Sequence, residues 1–572
     1  MMMRFFRSGQ TTFRNAKIGA GWAFSFLTTE VRGLHAAAYI LALSSLTSSV
    51  LALLRDRLLA HLFGAGPQLD LYYAAFRIPD AVFIGIGALV SAYMLIPEIA
   101  RRDEEGQKRY LDSIVVGYSV LVAIVAAGAA VAAPAVLTRF FPLLVAGHLT
   151  ELTHLSRILL LQSALLGFSN IAAAITQYKH RYTLYAISPI VYNLGIMFGA
   201  LALYPHFGLA GLIWGVVIGA ALHVGIQIPS ILGDGFFRIP RFFDMREFFE
   251  TVRLSLPRAL ALSMNQIAFF GLLSLAGTLS VGSISIFVFA YNLQGVPLAI
   301  IGASYATAAF PTLAYAFSRG ESKEYLMHVG IAARQILFWS LPVISLTIVL
   351  RAHIVRAILG SGAFDWTDTR LTAAGLALFI ISLASQGLTL LLIRAMYAAG
   401  KTIIPFIVTT LTAALTIIFG VWFLTILSNP ANGDILEALL RVQDVGGTNV
   451  LALSLAYSIS SLIGAVVLCL YFAGRFGRFF FEVGRSWWEA LTAALAAGLV
   501  AYGTLVVIGN ITLASTLGSV LLRGGAAGIA GCAAAALTYY LLGNREFAEN
   551  YAALRKRIWS DAEPVVSAEQ SA

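Results

Sequence analysis

Arg55, Asp56, Arg57, Asp70, Arg77 and Asp80 stand in the stretch LALLRDRLLAHLFGAGPQLDLYYAAFRIPD (51–80), between apolar runs long enough to cross a bilayer. Guanidinium groups take phosphate or diphosphate through forked, charge-assisted hydrogen bonds. Carboxylates beside them orient the guanidinium or bind a proton or a cation. Arg55 lies roughly 13 Å below the outer end of its run, at 1.5 Å per residue. A charge at that depth costs on the order of 3 kcal/mol unless it faces protein or water. Asp70, Tyr73, Arg77 and Asp80 follow at i, i+3, i+7 and i+10, a helical stripe roughly 80° wide. Two readings fit these residues. In one, Arg55 and Arg77 form the cationic wall of a watery cavity and bind an anionic headgroup, with Asp70 orienting Arg55. In the other, the charges form an internal network that only pins two membrane helices together.

Other intramembrane polar residues carry weaker signals. Asn193, Gln266, Asn292, Gln294 and Gln386 fit interhelical hydrogen bonds better than cavity roles. Asn292 nevertheless joins Arg55, Arg77 and Asp70 among the candidate substrate contacts. Arg157, Arg334, Arg394 and Arg523 fall near the ends of apolar runs, where long side chains snorkel to the interface. No nucleotide-binding motif, catalytic triad, paired catalytic carboxylates or metal-ligand spacing is present, so neither an enzyme nor a cofactor is expected. With no nucleotide site to supply energy, Asp56, Asp70 and Asp80 are the candidates for coupling to H⁺ or Na⁺.

The elements that must position these groups are membrane helices. The 572 residues are 59% hydrophobic and 12% charged, about half the charged fraction of soluble domains. Apolar runs predict fourteen spans, at 35–63, 70–97, 110–137, 152–177, 183–203, 208–232, 255–279, 283–316, 325–350, 368–396, 402–427, 449–474, 487–508 and 516–542. A β-barrel would instead alternate apolar and polar residues.

Loop charges order these spans. One side collects 101–109, 178–181, 238–258, Arg319 with Lys323, Lys401 and 474–485, together with both tails. The other side holds few basic residues: Arg139, then Arg351, Arg356 and Arg370, then Arg441. By the positive-inside rule both termini are cytoplasmic. The net charge of +10 is scattered over these loops, so no nucleic-acid partner is expected. Cys469 and Cys532 sit inside apolar runs and imply no disulfide framework. Residues 1–34 read as a basic cytoplasmic tail, with an interfacial helix around Gly21–Leu27.

The chain also repeats. Residues 70–106 resemble 285–321, a spacing of 215, and 177–189 are echoed more loosely by 396–405. Two six-span bundles are therefore expected at 35–232 and 255–474, joined by an amphipathic cytoplasmic linker at 233–254. Spans 13 and 14 (475–543) stand outside the repeat, and a cytoplasmic tail follows at 544–572. The fold class is thus all-α polytopic membrane protein, with about fourteen transmembrane helices in two repeat bundles plus two extra C-terminal helices. An even number of spans per repeat makes it a parallel repeat about the membrane normal, an arrangement of transporters that rock two halves.

RDRLLAHLFGAGPQLDLYYAAFRIPD, ASYATAAFPTLAYAFSRGE (303–321), GSGAFDWTDTRL (360–371) and RAMYAAGKTIIP (394–405) resemble the lipid II flippase family (MurJ/MviN) of the multidrug/oligosaccharidyl-lipid/polysaccharide exporter superfamily. The resemblance extends over nearly the whole chain after residue 35. It implies alternating-access export of an undecaprenyl-diphosphate-linked peptidoglycan precursor across the bacterial inner membrane, in cell-wall biogenesis. Membrane lipids are the other expected partners, and the protein is expected to be a monomer. Arg55, Asp56 and Asp70 stand where the family has its Arg-Asp pair and a cavity aspartate, and Arg77 at a commonly basic position. Ser49, Phe83 and Asn292 replace expected cavity arginines, and Ala88 replaces an acidic residue. Another polyprenyl-linked glycan as cargo, or an ion-coupled drug antiporter of the same superfold, stays open at this stage.

Overall fold

The computed structural model describes residues 34–90, 92–179, 181–232, 240, 242–477, 479–509, 511–513 and 515–559. The expected N-terminal tail up to residue 33, with its interfacial helix, lies outside the described residues, as do most of 233–241 in the linker and 560–572. Among the described residues helix is the only regular secondary structure, and each of the fourteen expected spans is helical over most of its length. Nine described helices are long and apolar enough to cross a membrane. They become ten when Trp366–Ile380 and Leu383–Ala398, bent by 43°, count as one span.

Two features account for much of the difference from fourteen. Span 2 is cut into Pro67–Ala75, Arg77–Ile86, the 3₁₀ turn Gly87–Val90 and Ala92–Ala100, each too short to cross alone. Spans 5 and 6 run on as one 44-residue element, Tyr182–Gly225, which turns at Gly208, where φ is +58°. A Cβ on Gly195 or Gly199 would strike the backbone of Gly219 or Gly215 respectively. Glycine at these four places lets two antiparallel helices meet backbone to backbone.

The chain divides into two compact units, the first ending at Ser285 and the second beginning at Ile286. Span 7 (Met245–Ala276), which the repeat assigns to the second bundle, therefore packs within the first unit. Its N-terminal part is held there by the Phe248 ring, which lies over Gly117 where a Cβ would collide. Arg102 joins in, pairing with both Glu98 and Glu247 at 2.9 Å.

In the second unit span 9 (Ser322–Ile358), span 13 (Phe479–Ile508) and span 14 (Leu517–Leu541) pack through small residues, with Gly498 against Ser345 and Gly531 against the Ala497 carbonyl. Arg334 does not snorkel. It is buried, its Nε 2.6 Å from Glu546 at the start of the C-terminal helix Arg545–Trp559, with Glu482 at 3.5 Å. A carboxylate 212 residues away makes burial tolerable where the local sequence predicted exposure.

Candidate functional site

Span 1 (Leu34–Phe63) carries Arg55 and Asp56 on adjacent residues. Asp56 is buried and takes two bonds from its neighbour, Arg55 Nε at 3.0 Å and Nη2 at 2.7 Å, both to Oδ1. The third bond of the guanidinium goes to span 5, where Asn193 Oδ1 accepts from Nη1 at 3.0 Å. Asn193 is fixed in turn, donating from Nδ2 to the Pro189 carbonyl at 2.9 Å. Three bonds thus set the plane of Arg55 while one-fifth of its side chain stays exposed. That is the geometry of a preorganised anion ligand.

Arg77 opens the second piece of span 2. Pro79 has no N–H, so the carbonyl of Ala75 loses its helical donor and the chain breaks at Phe76. In a membrane such a carbonyl must find a partner. Ser156 Oγ of span 4 (Pro142–Tyr178) supplies it at 2.9 Å. Seven residues on, Ser163 Oγ donates to the Pro79 carbonyl at 2.7 Å, and after seven more Asn170 Nδ2 reaches the Gly87 carbonyl at 3.0 Å. One face of span 4 therefore serves three carbonyls of span 2, at Ala75, Pro79 and Gly87. Arg77 itself is buried, donates from Nε to the Tyr73 carbonyl at 3.1 Å and pairs through Nη2 with Asp80 at 3.2 Å. Its guanidinium lies 5.7 Å from the centre of the Phe269 ring.

The expected stripe exists: Asp70, Tyr73 and Arg77 are buried and Asp80 is half-buried. Tyr73 lies one turn before Arg77 and is tied to it through its carbonyl, which accepts from Arg77 Nε. Asp70 has a different role from the one its spacing suggested. Orientation of Arg55 falls to Asp56 and Asn193, whereas the Asp70 carboxylate takes Gly282 N at 2.6 Å on Oδ2, and Ser285 N at 2.9 Å and Ser285 Oγ at 2.6 Å on Oδ1. These donors lie at the start of span 8, which begins at Ser283. A helix start offers unpaired N–H groups and positive dipole charge, which attract a carboxylate strongly. Gly282, at φ +89°, lets this loop pass against the Ala65 carbonyl.

Ser285 stands 215 residues after Asp70, the repeat spacing itself. Asp70 therefore bonds its own repeat equivalent. The repeat register was the signal that could have found this contact. Asn292 lies half-buried on Ser283–Pro297, in the second unit. Of the positions where the resemblance expected other charges, Ser49 Oγ bonds back to the Ser45 carbonyl at 2.9 Å. The Phe83 ring covers Gly87, and Ala88 falls in the 3₁₀ turn beside it.

The sequence model of the family described as "Lipid II flippase MurJ" matches residues 59–523. A protein of Thermotoga maritima described as "Probable lipid II flippase MurJ" is 28% identical over 464 residues, 77% of this chain and 92% of its own. One of Buchnera aphidicola with the same description is 26% identical over 379 residues, 64% of this chain and 73% of its own. The solved structure "Lipid II flippase MurJ, inward closed conformation" superposes with a TM-score of 0.70 at 20% identity, covering 88% of this chain and 99% of that one.

Proposed function

The chain belongs to the lipid II flippase family MurJ, and we propose on that footing that it carries lipid II from the inner to the outer leaflet by alternating access in the bacterial inner membrane. The observation that carries this reading is the pair of membrane-embedded arginines on spans 1 and 2, Arg55 and Arg77, each held in place by protein partners. Arg55 is oriented by a buried carboxylate and an amide, and Arg77 is oriented by Asp80 and a backbone carbonyl. Two fixed guanidinium groups suit a diphosphate: each is held by one carboxylate and keeps further N–H donors for phosphate oxygens. An antiporter of cationic drugs needs the opposite sign. In the proposed cycle the diphosphate rests on this wall while the polyprenyl chain stays in lipid. The Asp70–Ser285 contact is one of those that must part when the cavity opens outward.

Depletion of the host's own flippase in a bacterium supplied with this chain tests the reading. Outer-leaflet lipid II should be restored; failure despite correct insertion would point to another polyprenyl-linked glycan. Both termini are proposed to be cytoplasmic, with the repeat halves at 35–232 and 255–474 acting as the two moving bodies, except that span 7 travels with the first. Reporter fusions at Gly66, Asn432 and Asn510 should then read outside and those at Gly106 and Gly320 inside, any reversed pair breaking the topology. The driving force is proposed to be an ion gradient or the membrane potential, where one charge crossing 100 mV supplies about 2.3 kcal/mol. Asp56 and Asp80 are the better placed responders, because Asp70 is committed to span 8 in this state. Collapse of all gradients in reconstituted vesicles should stop net transport.

A further inference from the structure

Beside Arg77 the first unit holds a cavity of about 320 Å³ that shares only this residue with the headgroup site. Span 2 forms one wall from Ile78 to Ile86, span 3 (Glu104–Phe140) forms the other from Val125 to Val136, and Phe270 of span 7 closes it. Arg77 is the only charged residue among those lining it. Its Nε and Nη2 are engaged by Tyr73 and Asp80, which leaves the Nη1 hydrogens for another acceptor. At Gly85 a Cβ would meet nothing within 4 Å, so the space reaches the backbone of span 2.

The cavity has a direction. Spans 2 and 3 are antiparallel neighbours, so Arg77 and Val136 mark one end and Ile86 and Val125 the other. Nine residues of helix set the length at about 14 Å. The volume is that of about ten water-sized groups, enough for the carbons of two isoprene units. A cation with a spare donor at one end and hydrocarbon along the rest fits a chain that carries an anionic oxygen at its head. In the proposed topology the Arg77 end faces the outer leaflet and the apolar end faces mid-bilayer. A lipid in the outer leaflet has this polarity; one in the inner leaflet has the reverse.

We propose that this groove is an exit site, in which the first isoprene units of the transported lipid lodge once its headgroup has crossed, the phosphate nearest the chain resting on Arg77 Nη1. This rests on the flippase reading and its topology. The test uses the full chain in vesicles, with a polyprenyl diphosphate bearing a photoreactive diazirine on its first isoprene unit. Crosslinks should map to residues 78–86 and 125–136. At Gly85, where a Cβ would meet nothing within 4 Å, Gly85→Leu puts a side chain into the space and should lower them about tenfold. Arg77→Gln should lower them about tenfold for the diphosphate, the loss of one charge-assisted contact, and leave crosslinking of the uncharged polyprenol unchanged. Crosslinks elsewhere, or equal labelling by a diazirine phosphatidylglycerol that competes with the probe, would overturn the exit site by assigning the groove to bulk lipid. Flipping measured in the same vesicles separates the two readings. Transport without groove crosslinks removes the exit site alone, and absence of transport removes the flippase reading.

Discussion

Replacing Arg55 with Ala separates a ligand from a pin. The change deletes three hydrogen bonds and takes the Arg55 charge away from Asp56, whose side chain is only 4% exposed. Breaking a buried pair from one side costs about 3–5 kcal/mol. One-fifth of the Arg55 side chain is exposed, so the lower end applies, about 3 kcal/mol. Adding Asp56→Asn removes the stranded charge, and the double variant should regain about 2 kcal/mol of that loss. Transport should not return with it, because the diphosphate has still lost its fork. Arg55→Lys should restore only part, a point charge replacing two parallel donors. Unfolding by urea in mixed micelles gives the stability, and flipping in vesicles, divided by the folded fraction, gives the activity. If the double variant recovers folding and transport together, the arginine is a pin. If Arg55→Ala transports at the wild-type rate per folded molecule, the headgroup site is wrong.

Asp70→Asn should favour the outward-open state, because one carboxamide cannot accept from three donors and turns an N–H toward one of them. Loss of one or two such bonds is worth about 2–4 kcal/mol, read as faster maleimide labelling of a cysteine at the buried Ser283. Unchanged labelling would sink the idea that this contact closes the outer end. At the other unit, Arg370 grips Asp444 through two bonds of 2.6 and 2.7 Å and holds its carboxyl down at about 2. A depressed value stabilises the folded loop above the ordinary carboxylate range, near 3.9, and that contribution is lost as pH falls from about 4 to 2. A fluorophore at Thr448 should therefore report loop release in that window, whereas Arg370→Met should release the loop already at neutral pH.

The embedded charges of spans 1 and 2 were legible because a charge in an apolar run is rare and its helical spacing fixes its face. Asp70, Tyr73 and Arg77 are buried and Asp80 is half-buried, on the stripe that the spacing implies. Asp70 was misread for a physical reason. Residue types announce side-chain charges, but its partners are backbone N–H groups at a helix start, together with a serine hydroxyl. The division of the chain was read from the repeat, whereas packing shifts span 7 into the first unit through Phe248 lying on Gly117, a contact across 131 residues of chain. Arg334 was read from its position in a run, and its counter-ion comes from after the last span. The break in span 2 follows from Pro79, whereas the partners of its carbonyls, Ser156, Ser163 and Asn170, lie 81 to 84 residues away in sequence, out of reach of local spacing.

The splint on span 4 bears on how such a protein could change cargo. A broken helix that lines a cavity usually has to satisfy its own frayed carbonyls, which restricts the side chains it can carry. Here that duty is delegated: Ala75, Pro79 and Gly87 are served by a different helix. The cavity-facing residues of span 2 are thereby relieved of scaffolding work and can be exchanged without unravelling the backbone that presents them. Phe83, in place of an expected arginine, sits in the piece of span 2 between two of these served carbonyls. Selectivity and architecture are written on separate helices, and the first can drift while the second stands.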